Sequence, residues 1–118
     1  MSYIRTISTK DAEHYTWGDN CDGWHLVKND LLSVIQEVMP PGTDEAWHYH
    51  DQAQQFFYVL SGEAVMEVNG EEINIQTGHG LPIPNKIPHK IKNVSGEPVH
   101  FLVISQPRSH GDRVVLQV

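Results

Sequence analysis

The chain has a single cysteine, Cys21, among 118 residues. A lone thiol cannot close an intrachain disulfide, so nothing in the cysteine usage indicates an oxidising compartment. Positive charge is also scarce: eight Lys and Arg against fifteen Asp and Glu leave a formal charge of −7. That argues against nucleic acid as a partner, because neutralising phosphates takes clustered cations. Long apolar runs are missing as well. Met1–Lys10 contains none, which predicts neither a secretory signal nor a membrane anchor, and sets a cytoplasmic location with no membrane partner as the expectation. No internal repeat, phosphate-cradling glycine loop or G-x-S-x-G elbow is present, so triad chemistry has no foothold. The nearby acids Glu45, Asp51 and Glu63 fall in turns and are expected to be solvated, leaving no paired carboxylates at a suggestive spacing.

What remains is an ordinary globular composition, 39% hydrophobic and 19% charged, at a length that predicts one domain over 1–118. Its unusual number is eight histidines. Histidine is the commonest metal ligand, but only spacing can say which of the eight matter.

Residues 1–23 look polar and irregular, with Gly18, Asp19, Asn20, Asp22 and Gly23 as loop chemistry. Short apolar segments follow: Trp24–Val27, Leu31–Met39, Ala46–His50, Gln55–Leu60, Ala64–Val68, Glu71–Ile75, Gly80–Ile83, Ile87–Asn93, Val99–Ser105 and Val114–Gln117. They are separated by turn signals, of which Asn69-Gly70 is a strong hairpin marker. No segment has a helical period, and many short strands predict an all-β sandwich or barrel.

Strand parity orients the histidines. Ile87, His89, Ile91 and Asn93 alternate with Pro88, Lys90 and Lys92. The face carrying two lysines belongs in solvent, so His89 points inward. His48-Tyr49-His50 puts two imidazoles at i and i+2, on one face of a strand and close enough to share an ion.

The surrounding residues repeat a wider pattern. Gly42, His48, His50, Gln55 and Gly62 resemble the first motif of the cupin superfamily, G-x5-H-x-H-x(3,4)-E-x6-G. Gly78, Pro84, Lys86, His89 and Asn93 resemble the second, G-x5-P-x-G-x2-H-x3-N. The motif core spans 42–93, and residues 1–23 form an N-terminal arm. Two positions depart from the pattern: Gln55 stands for the family glutamate and Lys86 for a glycine, which predicts a different turn conformation at Lys86.

The resemblance implies a cupin double-stranded β-helix, a jelly-roll barrel. It also implies one divalent transition metal ion (Zn, Ni, Fe, Mn, Co or Cu) held by His48, His50, Gln55 and His89. Gln55 either binds through its amide oxygen or hydrogen-bonds a ligand water. With Gln for Glu, the ligand set is neutral and the full +2 stays on the ion, which favours an anionic or enolisable oxygen ligand. Phe57, Val59, Met66, Ile87, Ile91 and Phe101 are candidates for pocket lining or plain core. His100 faces either the pocket or the core, His79 is structural, and His14, His25 and His110 are expected at the surface.

Phe56, Tyr58 and Leu60 would lie bare on the far face of their strand. A partner subunit or residues 1–23 could cover them. Small cupins are commonly dimers, so a homodimer is expected. Two functions compete: a metalloenzyme of dioxygenase, isomerase or lyase type acting on a small oxygen-rich molecule, and a non-catalytic sensor or carrier that binds a small-molecule ligand through the metal.

Overall fold

The computed structural model describes residues 4–109 and 111–116. Eleven strands run in order: β1 (Glu13–Trp17), β2 (Cys21–Lys28), β3 (Ser33–Met39), β4 (His48–His50), β5 (Gln54–Ser61), β6 (Glu63–Val68), β7 (Glu71–Gln76), β8 (Gly80–Ile83), β9 (His89–Lys92), β10 (Val99–Gln106) and β11 (Arg113–Val115). They form two antiparallel sheets, β1-β2-β3-β10-β5-β8 and β11-β4-β9-β6-β7. No helix occurs among the described residues, and so none is long and apolar enough to cross a membrane. This is the all-β architecture that the strand pattern predicts, in the jelly-roll form that the cupin resemblance implies.

Alternation drives each element. In β10, Val99, Phe101, Val103 and Ser105 are buried while His100, Leu102 and Ile104 are only half-buried. The inward sets of both sheets meet as one core containing Met39, Val59, Met66, Ile75, Ile91 and Phe101. Burying such side chains is the main stabilising term, about 1.5–3 kcal/mol each. Asn69 and Gly70 both take positive φ (50° and 79°), as the hairpin between β6 and β7 requires. Gly62, at φ 82° between β5 and β6, has no room for a side chain, since a Cβ would lie 2.7 Å from the Pro98 carbonyl oxygen. Asn93 closes the end of the barrel. Its amide donates to the carbonyls of Met39 (3.0 Å) and Glu97 (2.7 Å), and its Oδ1 accepts from Ser95.

The N-terminal arm differs from expectation. Residues 13–17 form an edge strand paired with β2 in the register Tyr15↔Gly23 and Trp17↔Cys21. Polar residues obscured it, because an edge strand with one face toward a cavity needs no apolar run. The arm does not cover the far face of β5, where Phe56 and Leu60 remain 37% and 39% exposed. Residue 117, the end of the expected last strand, and His110 lie outside the described residues.

Candidate metal centre

Register builds the centre. His48 on β4 is the direct cross-strand partner of His89 on β9, and His50 lies two residues on, on the same face. The three imidazoles are buried, and one ring nitrogen from each lies within 4.8 Å of the others. Ring centroids are 4.5 Å apart for His48–His89 and 5.0 Å for His48–His50. Gln55 comes from the opposite sheet, at the head of the buried face of β5.

The hydrogen bonds test whether these residues suit a cation. His48 Nδ1 donates to the Ala46 carbonyl (2.8 Å) and His89 Nδ1 to the Ile87 carbonyl (2.9 Å). In a neutral ring the other nitrogen, Nε2, is then a bare lone pair. Gln55 Nε2 pairs with Ser105 Oγ at 3.0 Å. The remaining amide oxygen faces His89 Nε2 at 3.1 Å. Each of these two atoms then has a lone pair to offer a single cation. A proton is disfavoured: burial lowers the His89 pKa and carries those of His48 and His50 down to about 3 and about 4. Buried His50 Nδ1 also has no hydrogen-bond partner among the described residues. Neutral imidazoles with bare lone pairs are what a divalent transition metal requires.

The centre opens on a cavity of about 520 Å³ between the sheets. His48, His50, Gln55 and Phe57 line one side. The other candidates for lining lie elsewhere: Val59, Met66, Ile91 and Phe101 are in the core and Ile87 is packed against it. The inward rows explain this. Val59 and Phe101 continue as Glu37, Gly23 and Tyr15 across β5-β10-β3-β2-β1, and only the far members of that row reach the cavity.

The cavity lining also carries acids that were not expected: Glu37, and Glu45, whose Oε1 lies 3.9 Å from His48 Nδ1. Tyr15 Oη donates to Glu37 Oε2 at 2.7 Å. The tyrosine ring reaches across Gly23, where a Cβ would fall 2.3 Å from Tyr15 Cζ. Burial pushes Glu37 up to about 7, opposed by the Tyr15 hydrogen bond. Glu45, expected in solvent, is only 14% exposed in its side chain. It accepts from the Ile91 N–H (3.0 Å), and burial pushes it up to about 8. The turn that carries Glu45 folds inward against β9, with its own N–H bonded to the Ile91 carbonyl. The buried carboxyls are thus 8 residues apart in sequence and face one cavity.

Three further expectations need correction. His25, placed at the surface, lines the cavity, because Cys21, Gly23 and His25 are the inward set of β2. The apolar neighbours Trp24 and Leu26 point the other way and hid this. His100 belongs to the half-buried outward set of β10, away from the cavity. Lys86 keeps a positive φ of 68°, so the turn is held in the conformation that favours glycine. Its N–H bonds to the His50 carbonyl (2.6 Å) and its amine to Asp51 (3.0 Å). The buried carboxyls could have been suspected from one signal: Glu37 has inward parity with Ser33, Ile35 and Met39 in β3.

Known proteins resemble the chain in both sequence and shape. MJ1618, an uncharacterized protein of Methanocaldococcus jannaschii, is 31% identical over 79% of this chain and 75% of its own length. The polyketide synthase CurC of Streptomyces cyaneus is 30% identical over 59% of this chain, and the match spans only 46% of CurC. Among solved structures, the polyketide cyclase RemF of Streptomyces resistomycificus superposes with a TM-score of 0.82 at 16% identity, covering 98% of this chain and 87% of RemF. The family described as the Cupin domain matches residues 35–105, a span that holds both histidine motifs, and the chain belongs to that family.

Proposed function

We propose that the chain is a metal-dependent cupin that acts on a small oxygen-rich molecule. The observation that carries this reading is the cluster of three buried imidazoles, His48, His50 and His89, with the Gln55 side-chain amide 3.1 Å from His89 Nε2. A divalent ion bound by His48, His50, His89 and Gln55 would supply Lewis acidity to a carbonyl or hydroxyl oxygen. The chain's own groups do the rest. Three imidazoles and an amide bring no negative charge, which suits an anionic or enolisable ligand. Glu37, half-buried and held through Oε2 by Tyr15, has a proton affinity suited to taking and returning a proton near neutrality. Phe57 and Val103 keep the cavity floor apolar.

Cobalt(II) loaded into chelator-stripped protein tests the reading. Its visible bands should report an incompletely ligated ion and should shift when acetohydroxamate is added. A tetrahedral spectrum indifferent to that chelator would mean a structural metal and end the enzyme proposal. A sensor or carrier would pass this test too, so turnover separates it: Glu37→Gln should cost activity of an enzyme at least tenfold and leave ligand affinity alone.

The same reading includes a homodimer. The outward rows Trp24–Gln36–Leu102–Tyr58 and Val34–Ile104–Phe56 carry no formal charge, on a chain of net charge −7. Copies of such a chain repel except where charge is absent. Sedimentation of Phe56→Lys should give a monomer where the unaltered chain gives a dimer.

A further inference from the structure

The chain's eight Lys and Arg are outnumbered nearly two to one by acids, so a cation without a carboxylate partner needs a reason. Five have one: Lys28 with Glu13, Lys86 with Asp51, Lys90 with Asp44, Lys92 with Glu67 and Glu72, and Arg113 with Glu45 at 3.9 Å. Arg5 and Lys10 are exposed to water. Arg108 is the exception. It is half-buried, its side chain makes no hydrogen bond or ion pair among the described residues, and it stands on the wall of the same cavity as the imidazoles.

Its placement is fixed by the backbone. The Arg108 N–H donates to the Asp30 carbonyl (3.3 Å), which anchors the segment after β10 beside the β2–β3 turn. The acids of the cavity are engaged elsewhere: Glu13 by Lys28, Glu37 by Tyr15, and Glu45 by the Ile91 N–H and Arg113. None forms an ion pair with Arg108 among the described residues. A guanidinium partly removed from water and left unpaired is a ready fork for a planar carboxylate or a phosphate.

We infer that Arg108 is the anion-binding residue of the cavity. The molecule bound there carries oxygens that chelate the ion at one end and a carboxylate or phosphate at the other. The inference rests on the metal-centre reading above and adds the substrate class to it. It also accounts for an acidic chain accepting an anion, because the unpaired cation and the neutral ligand set line the same cavity.

Two matched pairs of probes test it by calorimetry on zinc-loaded protein. 2-Oxoglutarate is compared with 2-oxovalerate, which has the same chelating end without the distal charge. Dihydroxyacetone phosphate is compared with hydroxyacetone. In at least one pair the member with the distal charge should bind at least tenfold more tightly than the member without it, and the pair with the larger ratio tells carboxylate from phosphate. Arg108→Gln should bring that ratio to within twofold of unity without changing the affinity of the probe that lacks the distal charge. Arg108→Lys should keep part of it. Metal content and melting temperature of both variants confirm that they fold. Equal binding within both pairs, or an advantage that survives Arg108→Gln, overturns the inference and leaves the metal centre standing. Failure of all four probes to bind the zinc-loaded protein overturns the open metal centre, and the inference with it.

Discussion

The two walls of the cavity are built in different ways. The imidazole wall is local. His48 and His50 are neighbours on one strand, His89 is the cross-strand partner of His48, and two of the rings are tied to carbonyls two residues before them. The acidic lining is assembled over long distances. Tyr15 reaches Glu37 from 22 residues away, and Glu45 is locked by Ile91, 46 residues on. The comparison teaches that a cluster of candidate metal ligands can be set by short-range pattern while the acidic lining of the same cavity depends on register across strands.

His89→Ala should have the largest effect. Removing a direct ligand ought to weaken zinc binding by more than about 100-fold, beyond what loss of a supporting partner costs. Metal content of protein purified without added metal checks this, and equal content would mean the imidazole wall is not the site. Gly23→Ala should break the other wall selectively. The new Cβ displaces the Tyr15 ring, with about 1–3 kcal/mol of overpacking strain in thermal unfolding. Zinc stoichiometry should stay at the level of the unaltered chain, and its loss would show that the walls are not independent.

Gln55→Ala should loosen zinc by about tenfold, and an unchanged affinity would move Gln55 from ligand to hydrogen-bond partner. The smallest effect is in pH dependence. Burial lifts Glu37 from 4.5 to about 7, so between those values the folded chain holds a proton that the unfolded chain has released. Folding takes up that proton, and this contribution to stability therefore falls as pH rises through the window and levels above it. In metal-free protein the melting temperature of Glu37→Gln, relative to the unaltered chain, should climb from pH 4.5 to 7 and then flatten. A constant difference would place Glu37 in water.

This contrast also explains what the sequence could disclose. The orientation of His89 followed from Lys90 and Lys92 on the opposite face, and the jelly roll from strand spacing and two motifs. β1 was invisible, because Glu13, His14 and Thr16 resemble a loop until β2 lies beside them. β2 misled for the opposite reason. Its apolar residues Trp24 and Leu26 flank His25, and no motif spacing marks that histidine, so nothing in the sequence turned it inward. Glu45 looked like a turn acid, and nothing nearby in the sequence announces the Ile91 N–H that holds it.

The carbonyl ties on His48 and His89 have a consequence for kinetics. With Nδ1 protons fixed on Ala46 and Ile87 and with basicity suppressed by burial, those rings need neither shift tautomer nor shed a proton when an ion arrives. Uptake near pH 7 should release no proton from them, and its rate should be governed by how fast the incoming ion loses water. Which metal occupies the site would then reflect hydration chemistry and supply more than any adjustment by the protein.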